Sequence, residues 1–171
     1  SSKNLAMIHN GIIENYADIK KNLIAKGVEF KSETDTEVLV QLIEYIQVKK
    51  DLDLLTAVQV ALRQVIGAYA IAILDKRHPD QIIAARKQSP LVVGIGEDGE
   101  FYLGSDASPI IEYTDKVVYL EDGNIAVMRL GQELQVVKIQ NVKLKPEVQT
   151  VNIELGHIDL SLLHICRYRR R

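Results

Sequence analysis

After an opening strand-like run, apolar positions along this chain change their spacing again near Gly67. Before that point they recur at the helical period, and after it they form short runs separated by turn dipeptides. The opening run, "NLAMIHNGII", has strand character but is interrupted at His9-Asn10-Gly11. From Ile12 onward, "IIENYADIKKNLIAKG" predicts a short amphipathic helix, with Tyr16, Ile19, Leu23 and Ile24 on its apolar side and Gly27 as its stop. In "SETDTEVLVQLIEYIQ", Thr34 and Glu37 have the spacing of a capping box, which places Asp35 at the first helical position. Val38, Leu39, Leu42, Ile43 and Ile46 supply the buried stripe of that second helix. A third helix, "LDLLTAVQVALRQVIG", is expected to bury Leu54, Leu55, Val58, Ala61, Leu62 and Val65 and to end at Gly67.

Beyond the change of period, "AYAIAIL" (68–74) reads as a strand buried on both faces. "RHPD" (77–80) reads as a turn and "QIIAARK" (81–87) as the returning strand. Two hairpins are expected, through Asp98-Gly99 and Asp122-Gly123. Between them "ASPIIEYT" (107–114) forms a helical turn, and "QELQVVKIQ" (132–140) adds a last strand. Helices followed by an antiparallel meander indicate an α+β fold with helices stacked on sheet.

Composition adds exclusions more than identities. A length of 171 residues suits one domain with a sizeable core. A net charge of −2 gives no bulk attraction to nucleic acid or anionic lipid. No apolar run approaches the roughly 18–20 residues that span a bilayer. The start "SSKNLAMIHN" lacks a signal-peptide pattern. The single cysteine, Cys166, excludes an internal disulfide framework and fits a reducing, cytoplasmic setting.

Two places could carry chemistry, and each also has a purely structural reading. His9-Asn10-Gly11 is either a strand-to-helix turn or an oxyanion hole, because an Asn side-chain N–H beside a Gly backbone N–H gives two neutral donors for one oxygen. Asp35 either stabilises a helix dipole or binds a ligand's ammonium group, with Thr34 and Thr36 fixing its turn. Other candidates are weaker. His78 sits in a turn before Pro79 and is expected to be solvated. His157 and His164 lack a carboxylate at metal-ligand spacing, so no metal is assigned. His164 and Cys166 are two apart and would not face each other on a helix. "GIGEDG" (94–99) lies in a hairpin and not between strand and helix, which argues against a phosphate loop. "RYRRR" (167–171) could grip phosphate, or be a solvated tail.

Taken together, "HNGIIENY", "SETDTEVLVQLIEYI", "GAYAIAI" and "PLVVGIGEDGEFYLGSDASPIIEYTDKVVYLEDGNIAV" closely resemble the glutaminase domain of the glucosamine-6-phosphate synthase family. These are class II, N-terminal-nucleophile glutamine amidotransferases. The resemblance covers residues 1–156 and leaves 157–171 as a divergent basic tail. It implies a four-layer αββα sandwich, incomplete here, with two antiparallel sheets face to face. It also implies that Asn10, through its side chain, and Gly11, through its N–H, form the oxyanion hole, and that Asp35 binds the α-ammonium group of glutamine. His9 is expected to be structural support. No cofactor is implied.

The family's nucleophile is an N-terminal cysteine, whereas this chain begins at Ser1 and the "HNG" segment aligns internally. Ser1 and Cys166 are poor substitutes. The expectation is therefore an N-terminally truncated segment, inactive alone, of an enzyme that passes ammonia from glutamine to fructose 6-phosphate. Its sugar-isomerase domain is expected to lie outside the chain, the parent enzyme to be homo-oligomeric, and neither nucleic acid nor membrane to be a partner. The alternatives are a non-catalytic relic, a partial amino-acid-binding module, or a segment of another class II amidotransferase.

Overall fold

Strand alternation, read residue by residue, sorts the apolar side chains into three separate cores. The structure is a computed structural model and describes residues 4–140, 143–144, 146–151 and 166–168. Three helices, α1 (Tyr16–Ile24), α2 (Asp35–Lys50) and α3 (Leu54–Leu62), follow the first strand, β1 (Leu5–Ile13). Then come β2 (Gly67–Asp75), β3 (His78–Lys87), β4 (Val92–Ile95), β5 (Phe101–Gly104), β6 (Lys116–Tyr119), β7 (Asn124–Arg129) and β8 (Gln135–Lys138). Short strands β9 (Lys143–Leu144), β10 (Gln149–Thr150) and β11 (Cys166–Tyr168) complete the described elements. One sheet runs β1-β2-β3-β7-β8-β9 and the other β10-β6-β4-β5-β11, with every pairing antiparallel.

On β2, Tyr69, Ile71 and Ile73 point into a core shared with the helices, while Ala70 points the other way. The same split separates Ile83 and Ala85 from Ile82 and Ala84 on β3. The second core lies between the sheets, where Ala84, Ala126 and Met128 meet Val93, Phe101, Leu103 and Val118. The third covers the outer face of the second sheet, where Val92, Tyr102 and Val117 pack under Ala107 and Ile110. A helical layer, two sheets face to face and a covering turn make this the α+β sandwich expected.

Helix α2 is the pillar of the helical layer and is buried nearly all round. Thr34 caps it, its side chain accepting from the Glu37 N–H. The reciprocal half of the capping box is replaced, because Glu37 turns its carboxylate to the N–H groups of Lys31 and Ser32 and to the Ser32 hydroxyl. Burial raises the Glu37 carboxyl, but these hydrogen bonds outweigh it and hold the group well below the usual range.

Several expectations need correction. The interruption at His9-Asn10-Gly11 does not exist, since β1 runs through it to Ile13 in continuous register with β2. Ile12 and Ile13 are therefore strand and not helix, and on α1 Tyr16 and Ile24 are exposed while Ile19 and Leu23 carry the packing. Helix α3 stops at Leu62, short of Gly67, because tight turns through Gln64 and Val65 follow and Gly67 opens β2. The turn before β3 is at Lys76-Arg77, where Asp75 collects the Arg77 N–H and guanidinium; His78, exposed as expected, and Pro79 are already strand. Asp122-Gly123 does not close a hairpin. Strand β6 pairs with β4 and β7 with β3, so this turn carries the chain from one sheet to the other, tied by Asp122 to Arg86 and to the Gln88 N–H. The Asp98-Gly99 hairpin is as expected. Ser1, His157, His164 and the tail lie outside the described residues, apart from the backbone of β11, which pairs with β5.

Candidate functional site

The candidate residues meet at one edge of β1, an edge with no neighbouring strand among the described residues. Successive residues of a strand direct their N–H and C=O groups to alternate sides. The Glu14 N–H donates to Ile66 O, on the β2 side, whereas the Ile13 N–H donates to Asp35 Oδ2 at 2.9 Å, on the open side. The two-residue period then sends the Gly11 N–H to the same open side, about 7 Å along the strand.

Gly11 is required for that geometry. Its φ is +132°, and a Cβ built there would stand 2.1 Å from the Ala68 carbonyl oxygen and 2.8 Å from Tyr69 Cα. At this inverted φ a side chain would take the place that Hα normally occupies between paired strands, so only glycine fits. Gly67 repeats the arrangement on β2, with φ +139° and Ile12 O 2.1 Å from its built Cβ. The backbone beneath the site is therefore held between two glycines on adjacent strands. The sequence offered Gly11 as a turn residue or an oxyanion donor and Gly67 as a helix stop; the positive φ inside a strand is what these readings lacked.

His9, Thr36 and Asp35 form a compact group beside this edge. His9 Nδ1 lies 2.9 Å from Thr36 Oγ1 and 3.8 Å from Asp35 Oδ1, and its side chain is 2% exposed against 23% for Asp35. Burial lowers the His9 pKa below its ordinary 6.5, with the Asp35 carboxylate opposing, so the ring is neutral near pH 7. Asp35 begins α2, where the unsatisfied N–H groups favour its negative charge. One carboxylate oxygen is taken by Ile13, and Thr36 Oγ1 stands 3.5 Å from the other.

Asn10 sits between His9 and Gly11 with an exposed side chain that makes no hydrogen bond among the described residues. Strand alternation puts it on the face of β1 opposite His9, beside the exposed Ile8 and Ile12. The structure thus brings Asp35, His9 and the Gly11 N–H to one edge and leaves the Asn10 amide available next to it. Tyr69, cross-strand from Gly11, was not singled out by sequence. It is fully buried with its hydroxyl unpartnered, and burial, with Asp122 nearby, pushes it up to about 12. An aromatic inside an apolar strand run gives no signal of such a hydroxyl. No helix among the described residues is long and apolar enough to cross a membrane.

Residues 1–112 match the family model described as "Glutamine amidotransferase domain". Among curated relatives, the glutamine–fructose-6-phosphate aminotransferase (isomerizing) of Bacteroides thetaiotaomicron is 69% identical over 159 residues, covering 93% of this chain and 26% of the relative. The enzyme of the same name from Chlorobaculum tepidum is 49% identical, covering 92% of this chain and 26% of its own length. The chain thus spans about a quarter of the length of these relatives (26% in both). A solved structure of glutamine phosphoribosylpyrophosphate amidotransferase from B. subtilis superposes with a TM-score of 0.65 at 25% identity, covering 81% of this chain and 30% of that one.

Proposed function

We propose, from the fact that the chain belongs to the glutamine amidotransferase domain family, that the open edge of β1 binds glutamine for hydrolysis of its side-chain amide. The observation that carries this reading is that Asp35 is held at the Ile13 N–H, on the same open edge as the Gly11 N–H two residues away along β1. A glutamine laid along that edge places its α-ammonium group at Asp35 and its amide carbonyl at Gly11. When the carbonyl carbon becomes tetrahedral, negative charge develops on its oxygen. The Gly11 N–H and the Asn10 side-chain N–H stabilise that charge as fixed, neutral donors. The nucleophile in this family resemblance is an N-terminal cysteine, a role that none of the described residues takes in this reading.

In the whole enzyme, the released ammonia goes to fructose 6-phosphate and yields glucosamine 6-phosphate. That similar relatives are glutamine–fructose-6-phosphate aminotransferases supports this acceptor. The sugar-phosphate half of the reaction is assigned to regions of such enzymes outside these 171 residues. The setting is cytoplasmic and the whole enzyme homo-oligomeric in this proposal, with no nucleic acid, membrane or cofactor involved.

The test is glutamine hydrolysis by the full-length protein, followed as ammonia release. Asn10→Ala is expected to lower kcat by about a hundredfold or more while KM moves little, as loss of one oxyanion donor does elsewhere. A variant that keeps the wild-type kcat would overturn the oxyanion assignment.

A further inference from the structure

We infer that Thr36 is a positioning residue that gives Asp35 its selectivity for an α-ammonium group, with His9 as its anchor on β1. The inference rests on the proposed role of Asp35 and goes beyond it. Asp35 has a backbone hold on one side only: Oδ2 takes the Ile13 N–H at 2.9 Å. The hold on Oδ1 comes from side chains, the Thr36 hydroxyl at 3.5 Å and His9 Nδ1 at 3.8 Å, and these two lie 2.9 Å from each other.

Proton placement follows from the surroundings. A carboxylate oxygen can only accept, so the Thr36 hydroxyl spends its one proton on Asp35 Oδ1. Toward His9 Nδ1, 2.9 Å away, Thr36 Oγ1 can then only accept, which makes Nδ1–H the donor. His9 Nε2, buried and unpartnered, becomes a bare lone pair and not a stranded N–H. The order His9 to Thr36 to Asp35 is therefore a one-way relay that starts on the strand carrying Asn10 and Gly11 and ends on the carboxylate. It fixes the carboxylate plane while the Asp35 side chain stays partly exposed to meet a cation, and it ties the two halves of the site together across 27 residues of sequence.

Thr36→Val removes the hydroxyl and keeps the shape, so Asp35 loses its orienting donor while its charge remains. Two affinities separate positioning from general damage: KM for glutamine, and the inhibition constant of 4-carbamoylbutanoate, which is glutamine without its α-ammonium group. Their ratio reads how much the ammonium contributes. In the full-length protein, Asp35→Asn should collapse the ratio. Thr36→Val should lower it roughly tenfold, about one charge-assisted hydrogen bond's worth, and Thr36→Ser should restore it. If Thr36→Val fails to fold, Thr36→Ala replaces it in the same comparison. A Thr36→Val ratio equal to wild type, or both affinities weakened alike, would overturn the inference while the Asp35 reading stands. An unchanged ratio in Asp35→Asn would instead overturn the Asp35 reading on which it rests.

Discussion

Gly11 is fixed by backbone geometry and, in the proposed reading, carries the oxyanion donor as well. Its inverted φ directs the missing side chain at β2, and the same strand geometry turns its N–H outward to the open edge. Gly11→Ala must either push the Ala68 carbonyl away from 2.1 Å or rotate the backbone back to negative φ. Either response disturbs the ladder at the site. We expect a loss of about 2–4 kcal/mol in stability, measured by urea unfolding, because a close clash and a strained φ act at once. We also expect hydrolysis to fall further than in Asn10→Ala, since the remaining donor moves with the strand. A Gly11→Ala protein as stable as wild type would show that β1 and β2 have more room than these contacts allow.

At the level of elements, helices were legible because their caps and periods are local. Thr34 caps α2 as the spacing from Glu37 suggests, and the stripe from Val38 to Ile46 is buried as read. Thr34→Ala should cost about 1 kcal/mol by thermal or chemical unfolding. Glu37 should not compensate, because its carboxylate is engaged with Lys31 and Ser32. An unchanged midpoint would mean that Ser32, which lies 2.9 Å from the Thr34 hydroxyl, takes over the cap.

Sheet membership was less legible because it depends on partners distant in sequence. Asp122-Gly123 has the composition of a hairpin turn, and Gly123 has the positive φ such a turn requires. Nothing local reveals that β6 will pair with β4 and β7 with β3, a choice made by which core each face enters. The site shows the same limit. Asn10, Gly11 and Asp35 stood out in the sequence as candidates, whereas the His9–Thr36 contact joins residues 27 apart and exists only once α2 packs on β1.

The whole molecule depends on joining the helical layer to the first sheet, and one buried charge does this at the end opposite Gly11. Asp75, fully buried at the end of β2, accepts from Arg77 and from Gln47 of α2, while Arg77 also donates to Gln47. Burial would raise the Asp75 carboxyl, but the hydrogen bonds from Arg77 and Gln47, with the Arg77 charge, outweigh it and lower it from 3.8 to about 2. A carboxylate lowered on folding adds stability that is fully present above its unfolded pKa and is lost as pH falls through the folded one. The shift from 3.8 to about 2 corresponds to about 2 kcal/mol. His9 contributes an earlier loss with the same sign. Its lowered pKa means that the unfolded chain takes up a proton first, so stability begins to fall as pH drops below its ordinary 6.5. Unfolding free energy measured against pH should therefore decline in two stages, a shallow one below neutrality and a steeper one between about pH 4 and 2. Asp75→Asn should flatten the contribution of this carboxyl to the acid stage and lower stability at pH 7 by about 2 kcal/mol or more, because the Arg77 charge loses its partner. If the acid stage keeps its full slope in Asp75→Asn, other lowered carboxyls, Glu37 among them, carry that stage, and the buried Asp75–Arg77 pair merely accompanies the packing of the helical layer on the sheet.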